Sequence, residues 1–192
     1  ARHCAALALV ALGEPRRAAE RLEAIAAASL AGRPARAAVY AQAAQAWLVS
    51  GDSNRAFAAT TLALTLTPED ADLLMDRALA LATLGRYGEA VGDLDRALQL
   101  EPTRAEAYVF RAAAWRHMDR ADAARRDVER ALAISPDNAE ALLERGILRQ
   151  LAGDTEGARM DWERAVDLAP NSATADLAIQ NLALSEAGPS RR

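Results

Sequence analysis

The sequence predicts an all-α solenoid of stacked helical hairpins, and three observations carry that prediction. Five prolines recur 34 residues apart, at Pro34, Pro68, Pro102, Pro136 and Pro170. A period of that length belongs to a repeated pair of helices. Small residues recur in phase with them: Ala44, Ala78, Ala112 and Gly146 form one column, Ala56, Ala90, Ala124 and Ala158 a second, and Ala63, Ala97, Ala131 and Ala165 a third. Between the columns apolar residues return every three or four positions, as at Leu94, Ala97 and Leu98, which is the helical period.

Helices are expected over residues 1–12, 15–30, 35–50, 53–66, 70–84, 87–100, 104–118, 121–134, 138–152, 155–168 and 172–186. Residues Cys4 to Leu12 also read as the apolar part of a secretion signal, but only Arg2 precedes them as a charge and no small-residue cleavage pattern follows. They run directly into a helix turn, Leu12-Gly13-Glu14-Pro15, with Pro15 at an allowed first-turn position, so the first helix of a hairpin is the better reading. The chain is expected to begin inside a longer precursor, with any targeting segment lying before Ala1. The matching turn, Ser50-Gly51-Asp52-Ser53, comes 38 residues later rather than 34, so the first hairpin carries about four extra residues near Gly32 and Arg33 and Pro34 is in period by accident. The prolines are each expected just after a helix, where a missing amide does no harm. Asp137 and Asn138, or Asn171 and Ser172, then cap the helix that follows. The segment 173–186 has no hairpin partner after it and reads as a capping helix, with Asp176, Gln180 and Asn181 supplying polar character. Residues 188–192 are expected to be a disordered tail.

With these columns in place the chain resembles the tetratricopeptide repeat family, whose unit is two antiparallel helices with a small residue at its eighth place, alanines at its twentieth and twenty-seventh and proline at its thirty-second. The resemblance covers residues 37–170 in four phased columns. It implies one right-handed superhelical solenoid over residues 1–187, with about five hairpins near 1–36, 37–70, 71–104, 105–138 and 139–172 and the capping helix 173–186.

Composition bounds the function. There are 27 acidic and 23 basic residues, a mildly acidic balance that argues against a nucleic-acid surface. All 23 basic residues are arginine, which excludes chemistry requiring a lysine nucleophile or ammonium. Cys4 is the single cysteine, so no disulfide forms within the chain. No uncharged apolar run reaches the roughly 18 residues needed to cross a bilayer. Direct membrane insertion is therefore not expected, and a soluble chain, cytoplasmic or periplasmic, is.

Two charged columns recur together. Arg77, Arg111 and Arg145 stand at the seventh place of three successive repeats, and Asp93, Asp127 and Asp161 at the twenty-third; both become alanine, Ala43 and Ala59, in the repeat before them. Joint presence and joint absence predict an arginine–carboxylate pair tying the two helices of each hairpin, with fork geometry available because the base is arginine. A stack of arginines binding an anion is the functional alternative, and the matched acids disfavour it. Trp47 and Trp115 share one repeat place with Leu81, and Trp162 shares another with Thr60, Leu94 and Val128, so the tryptophans read as core.

Searches for catalytic or metal chemistry fail. His3 and His117 lie in different repeats without metal-ligand spacing to Cys4 or to a carboxylate. Gly85, Gly88 and Gly92 lack the strand that a phosphate loop requires. No nucleophile, base and orienting group assemble, so neither an enzyme nor a cofactor is expected.

What remains is a surface. The resemblance implies that the first helix of each hairpin lines a concave groove facing a protein or peptide segment. Carried over, its places fall on Gln45 and Leu48; on Met75, Leu79 and Thr83; on Val109, Arg116 and His117; and on Leu143, Ile147 and Gln150, with Val49 and Leu151 beside them. The lysine and asparagine clamp by which some family members hold the carboxylate terminus of chaperones is absent here. An apolar trough of this kind suits an amphipathic helix or an extended hydrophobic segment. The expectation is a non-catalytic adaptor or assembly subunit, bacterial in character. Its rivals are a scaffold that mainly self-associates, hence a possible homo-oligomer, and the regulatory part of a larger protein.

Overall fold

The computed structural model describes residues 2–186; the expected tail at 188–192 lies outside them. Among the described residues there are eleven α-helices: α1 Arg2–Ala11, α2 Pro15–Ala28, α3 Arg33–Val49, α4 Ser53–Leu66, α5 Ala71–Thr83, α6 Tyr87–Leu100, α7 Ala105–His117, α8 Ala121–Ile134, α9 Ala139–Leu151, α10 Thr155–Leu168 and α11 Ala173–Glu186. The helices group into two compact units, unit 1 up to Pro102 and unit 2 from Thr103.

Side-chain capping marks the start of five of the helices. Asp52, Asp70, Asn138 and Asp154 each accept a hydrogen bond from the backbone N–H three residues on, at 3.1, 3.1, 2.8 and 2.9 Å, and Ser172 Oγ does so from Ala175 at 3.1 Å. Each bond satisfies a donor that the helix itself leaves open. Pro68, Pro102, Pro136 and Pro170 stand between helices, but Pro34 sits in the first turn of α3. The expectation that every periodic proline follows a helix is corrected there: a first-turn proline needs no amide partner. At 17 residues α3 is four longer than the 13-residue α5, so the surplus in the first hairpin is accommodated as one extra helical turn.

In unit 1, α1 packs on α2, α2 on α3, α3 on α4, α4 on α5 and α5 on α6, and α5 also touches α3. Its core includes Leu9, Ala18, Ala19, Ala44, Trp47, Ala56 and Ala59, extended by Ala6, Leu22 and Ala43. In unit 2, α7 packs on α8 and α9, α9 on α10, and α11 covers both α9 and α10. Its core runs from Ala105 and Val109 through Val128, Leu142 and Trp162 to Ala178. The alanine columns are fully enclosed, Ala44, Ala56, Ala90, Ala112, Ala124, Ala158 and Ala165 all at 0 % exposure. Such small side chains let helix backbones approach closely and pack at interior density.

The hairpin turns have one backbone requirement. Gly13, Gly51, Gly85 and Gly153 take φ of 76°, 80°, 73° and 87°, and the corresponding residue of the α7–α8 hairpin is Asp119, at φ 58°. A left-handed residue is needed to reverse the chain, and aspartate tolerates it better than most side chains.

Candidate functional site

Each of the three hairpins that follow α4 is tied by a two-bonded fork. Arg77 donates from Nε and Nη2 to Asp93 at 2.7 and 2.6 Å, Arg111 to Asp127 at 2.8 and 2.7 Å, and Arg145 to Asp161 at 2.9 and 2.7 Å. The three aspartates are buried, and planar fork geometry is what holds a carboxylate there. Hydrogen bonding to Asp93 and Asp161 holds Arg77 and Arg145 above the ordinary guanidinium value. Asp161 also accepts from Arg149 Nη1 at 2.8 Å. Each of these six residues is thus paired across its own hairpin.

The groove residues divide by burial. On unit 1, Gln45, Leu79 and Thr83 are exposed and Leu48 is half-buried. Val49 of α3 is 68 % and Leu79 of α5 41 % exposed, and those two helices touch. Met75 is 7 % exposed, because α5 is flanked by α3, α4 and α6. The Thr83 hydroxyl donates back to the Leu79 and Ala80 carbonyls.

On unit 2, Gln150 and His117 are exposed, Leu143 and Ile147 are half-buried against the core, and Leu151 is 70 % exposed. Val109 is buried inside that core. Arg116 is half-buried and donates from Nε and Nη2 to Glu144 at 2.5 and 3.2 Å, joining α7 to α9. Glu144 is buried, so this guanidinium compensates an internal charge.

The sequence reading missed Asp76. It stands two repeat periods before Glu144, at the same place, and the place of Arg116 is held in unit 1 by Leu48. Asp76 is half-buried, and its carboxyl is raised to about 6 by burial, with repulsion from Asp72 and then Asp70 adding to this and a hydrogen bond from Gln45 opposing it. Burial, then repulsion from Glu106, similarly raises Glu140 in unit 2. The arginine and glutamate types of the Arg116–Glu144 pair do not recur together at those repeat places, so no recurrence marked it or its unit 1 counterpart. Among the described residues no group of His, Cys, Asp or Glu is placed to hold a metal ion, and no helix is long and apolar enough to cross a membrane.

A family model described as tetratricopeptide repeat matches residues 43–115 and 110–183. No curated protein matches the chain. Solved structures do. TTC0263, a thermophilic TPR protein in Thermus thermophilus, is 21 % identical, covers 95 % of each chain and superposes with a TM-score of 0.75. MamA is 18 % identical, with 84 % of this chain and 92 % of that one covered and a TM-score of 0.69. YrrB, described as a TPR protein with an unusual peptide-binding site, is 22 % identical over 92 % of this chain and 87 % of its own, with a TM-score of 0.63. At these identities the likeness is one of fold.

Proposed function

This chain belongs to the tetratricopeptide repeat family, and from that premise we propose that it is a non-catalytic adaptor or assembly subunit whose first-of-hairpin helices receive a helical or extended apolar segment of another protein. The observation that carries this reading is that two helices in contact each leave a large apolar side chain open, Val49 of α3 and Leu79 of α5, with half-buried Leu48 preceding Val49. Internal packing encloses neither side chain, and apolar surface left open on neighbouring helices supports an interaction surface there. Asp76, one turn before Leu79, favours a segment that brings a basic residue.

The test places a photo-crosslinker at residue 79 in the full chain and captures partners from source-cell extract, with Val49→Glu as the competitor. A crosslinked partner lost in Val49→Glu chains of native helicity supports the groove. Crosslinks indifferent to that substitution move the interaction elsewhere.

One observation favours a second reading, self-association. Leu177, Ile179 and Leu184 of α11 are 51, 51 and 66 % exposed. Sedimentation across a wide concentration range, with Leu177→Glu and Leu184→Glu as controls, separates the two: a monomer at every concentration removes the scaffold reading.

A further inference from the structure

In unit 1 a notch of about 200 Å³ opens between the end of α4, the Pro68 turn, α5 and α6, lined by Thr61, Leu64, Thr65, Pro68, Arg77 and Arg96. None of the groove residues lines it. The Thr61 hydroxyl oxygen is buried and has no hydrogen-bond partner among the described residues. By contrast the hydroxyls of Thr60, Thr65 and Thr83 each donate to a carbonyl of their own helix. A buried hydroxyl without a partner bears its full desolvation penalty, so its orientation needs a reason.

Unit 2 supplies one, because the same corner recurs two repeat periods later with a carboxylate for each cation. Arg145, at the place of Arg77, has Asp161 at 2.7 Å and, from the preceding helix α8, Glu129 at 3.7 Å. Arg164, at the place of Arg96, is held by Asp137 at 2.8 Å. In unit 1 the place of Glu129 is taken by Thr61 and that of Asp137 by Glu69. Arg77 keeps Asp93, while Arg96 donates to the Pro68 carbonyl at 3.1 Å rather than to Glu69. Two guanidinium groups therefore meet at a notch where the second carboxylate of the unit 2 corner is replaced by a shorter side chain with an unused donor.

We propose that this notch is a carboxylate-binding site: an Asp or Glu side chain, or a chain-terminal carboxylate, of a bound polypeptide enters between Arg77 and Arg96, and the Thr61 hydroxyl, enclosed in the unbound chain, turns to donate a hydrogen bond to it. It takes the place beside Arg77 that Glu129 holds beside Arg145. Charge complementarity and the planar donor fork of arginine select a carboxylate. The site goes beyond the groove reading and does not depend on it.

Nitrogen-detected NMR of the arginine side chains in the full chain tests this, at constant ionic strength. The probes are acetate, a doubly capped Ala-Glu-Ala peptide and an acetylated trialanine with a free carboxyl terminus; inorganic phosphate is the rival anion. Saturable shifts of the Arg77 and Arg96 signals are expected with carboxylate probes, and the two peptides show whether a side chain or a terminus is preferred. Thr61→Glu, which carries its own carboxylate as α8 does, should abolish those shifts and raise Tm. Arg96→Gln, at an exposed position, should weaken the response at Arg77 by about tenfold or more. No saturable shift with any carboxylate, a response to phosphate alone, or an affinity undiminished in both variants would overturn the proposal.

Discussion

Gly146 on α9 lies directly under the indole of Trp162 on α10: a methyl group at residue 146 would stand 2.6 Å from Cδ1 and 2.9 Å from Cε2 of that ring. The other repeats carry alanine at the place of Gly146 and Thr60, Leu94 or Val128 at the place of Trp162. The largest side chain of one column thus meets the smallest of the other. Trp162 is 2 % exposed and donates to the Leu143 carbonyl at 3.3 Å, so the ring has nowhere to retreat.

Gly146→Ala is therefore expected to destabilise the chain by about 1–3 kcal/mol through overpacking, although the same change in an open helix would stabilise it by about 0.5–1 kcal/mol. In a Trp162→Val background the sign should revert to stabilising. Urea midpoints of the four members of the double-mutant cycle give the coupling directly; additive effects would show that the two residues do not constrain each other.

The forks should respond unequally. Asp93→Ala leaves Arg77 without its carboxylate and is expected to cost about 3–5 kcal/mol. Asp161→Ala removes three hydrogen bonds, two from Arg145 and one from Arg149, against two in the Asp93 fork, and should cost more. Denaturation of the two variants side by side checks the order, and a loss below that of an ordinary surface substitution for either would remove the buried-pair account.

Asp76 makes stability depend on pH in a direction opposite to a salt-bridged acid. Its folded value of about 6 lies above its value of 3.8 in the unfolded chain, so the folded state holds the proton more tightly. Its contribution is fully present below pH 3.8 and is lost as pH rises through 6. From pH 7 to pH 5 this group alone is expected to add on the order of 1–2 kcal/mol, an increment that Asp76→Asn abolishes. Leu48→Arg, which supplies the cation that Arg116 gives Glu144, should lower the Asp76 value and raise stability at pH 7. Urea midpoints at the two pH values, with Asp76 followed by carboxyl NMR, decide both.

Turn residues give a further pair of outcomes. Asp119→Gly relieves a left-handed aspartate and is expected to stabilise by about 0.5–1 kcal/mol, whereas Gly85→Ala imposes a side chain at φ 73° and should cost about 1–2 kcal/mol. Thermal unfolding of the two variants is sufficient; equal and negligible changes would mean that the turns relax.

Much of the fold was legible because it is local and repeated. The alanine columns, the capping residues Asn138 and Ser172, and the glycine turns act within one hairpin and recur at one spacing, so each repeat is a reading of the same rule. Asp119 stands outside that rule, because the turns of the other hairpins are built on glycine. On the candidate surface, position within the repeat placed residues on helices but did not separate Met75 from Leu79, since both belong to one apolar stripe of α5.

The period, the helix pairs and the close-packed alanine seams follow from the order of residues alone, because backbone capping, turn geometry and helical periodicity involve neighbours along the chain. Tertiary structure alone decided that Met75 and Val109 are enclosed while Val49 and Leu79 stay open, that Arg116 answers Glu144, and that Gly146 yields to Trp162. Those outcomes depend on which side chains meet across helices far apart in sequence, where desolvation and steric fit differ from one repeat to the next even when the repeat itself does not.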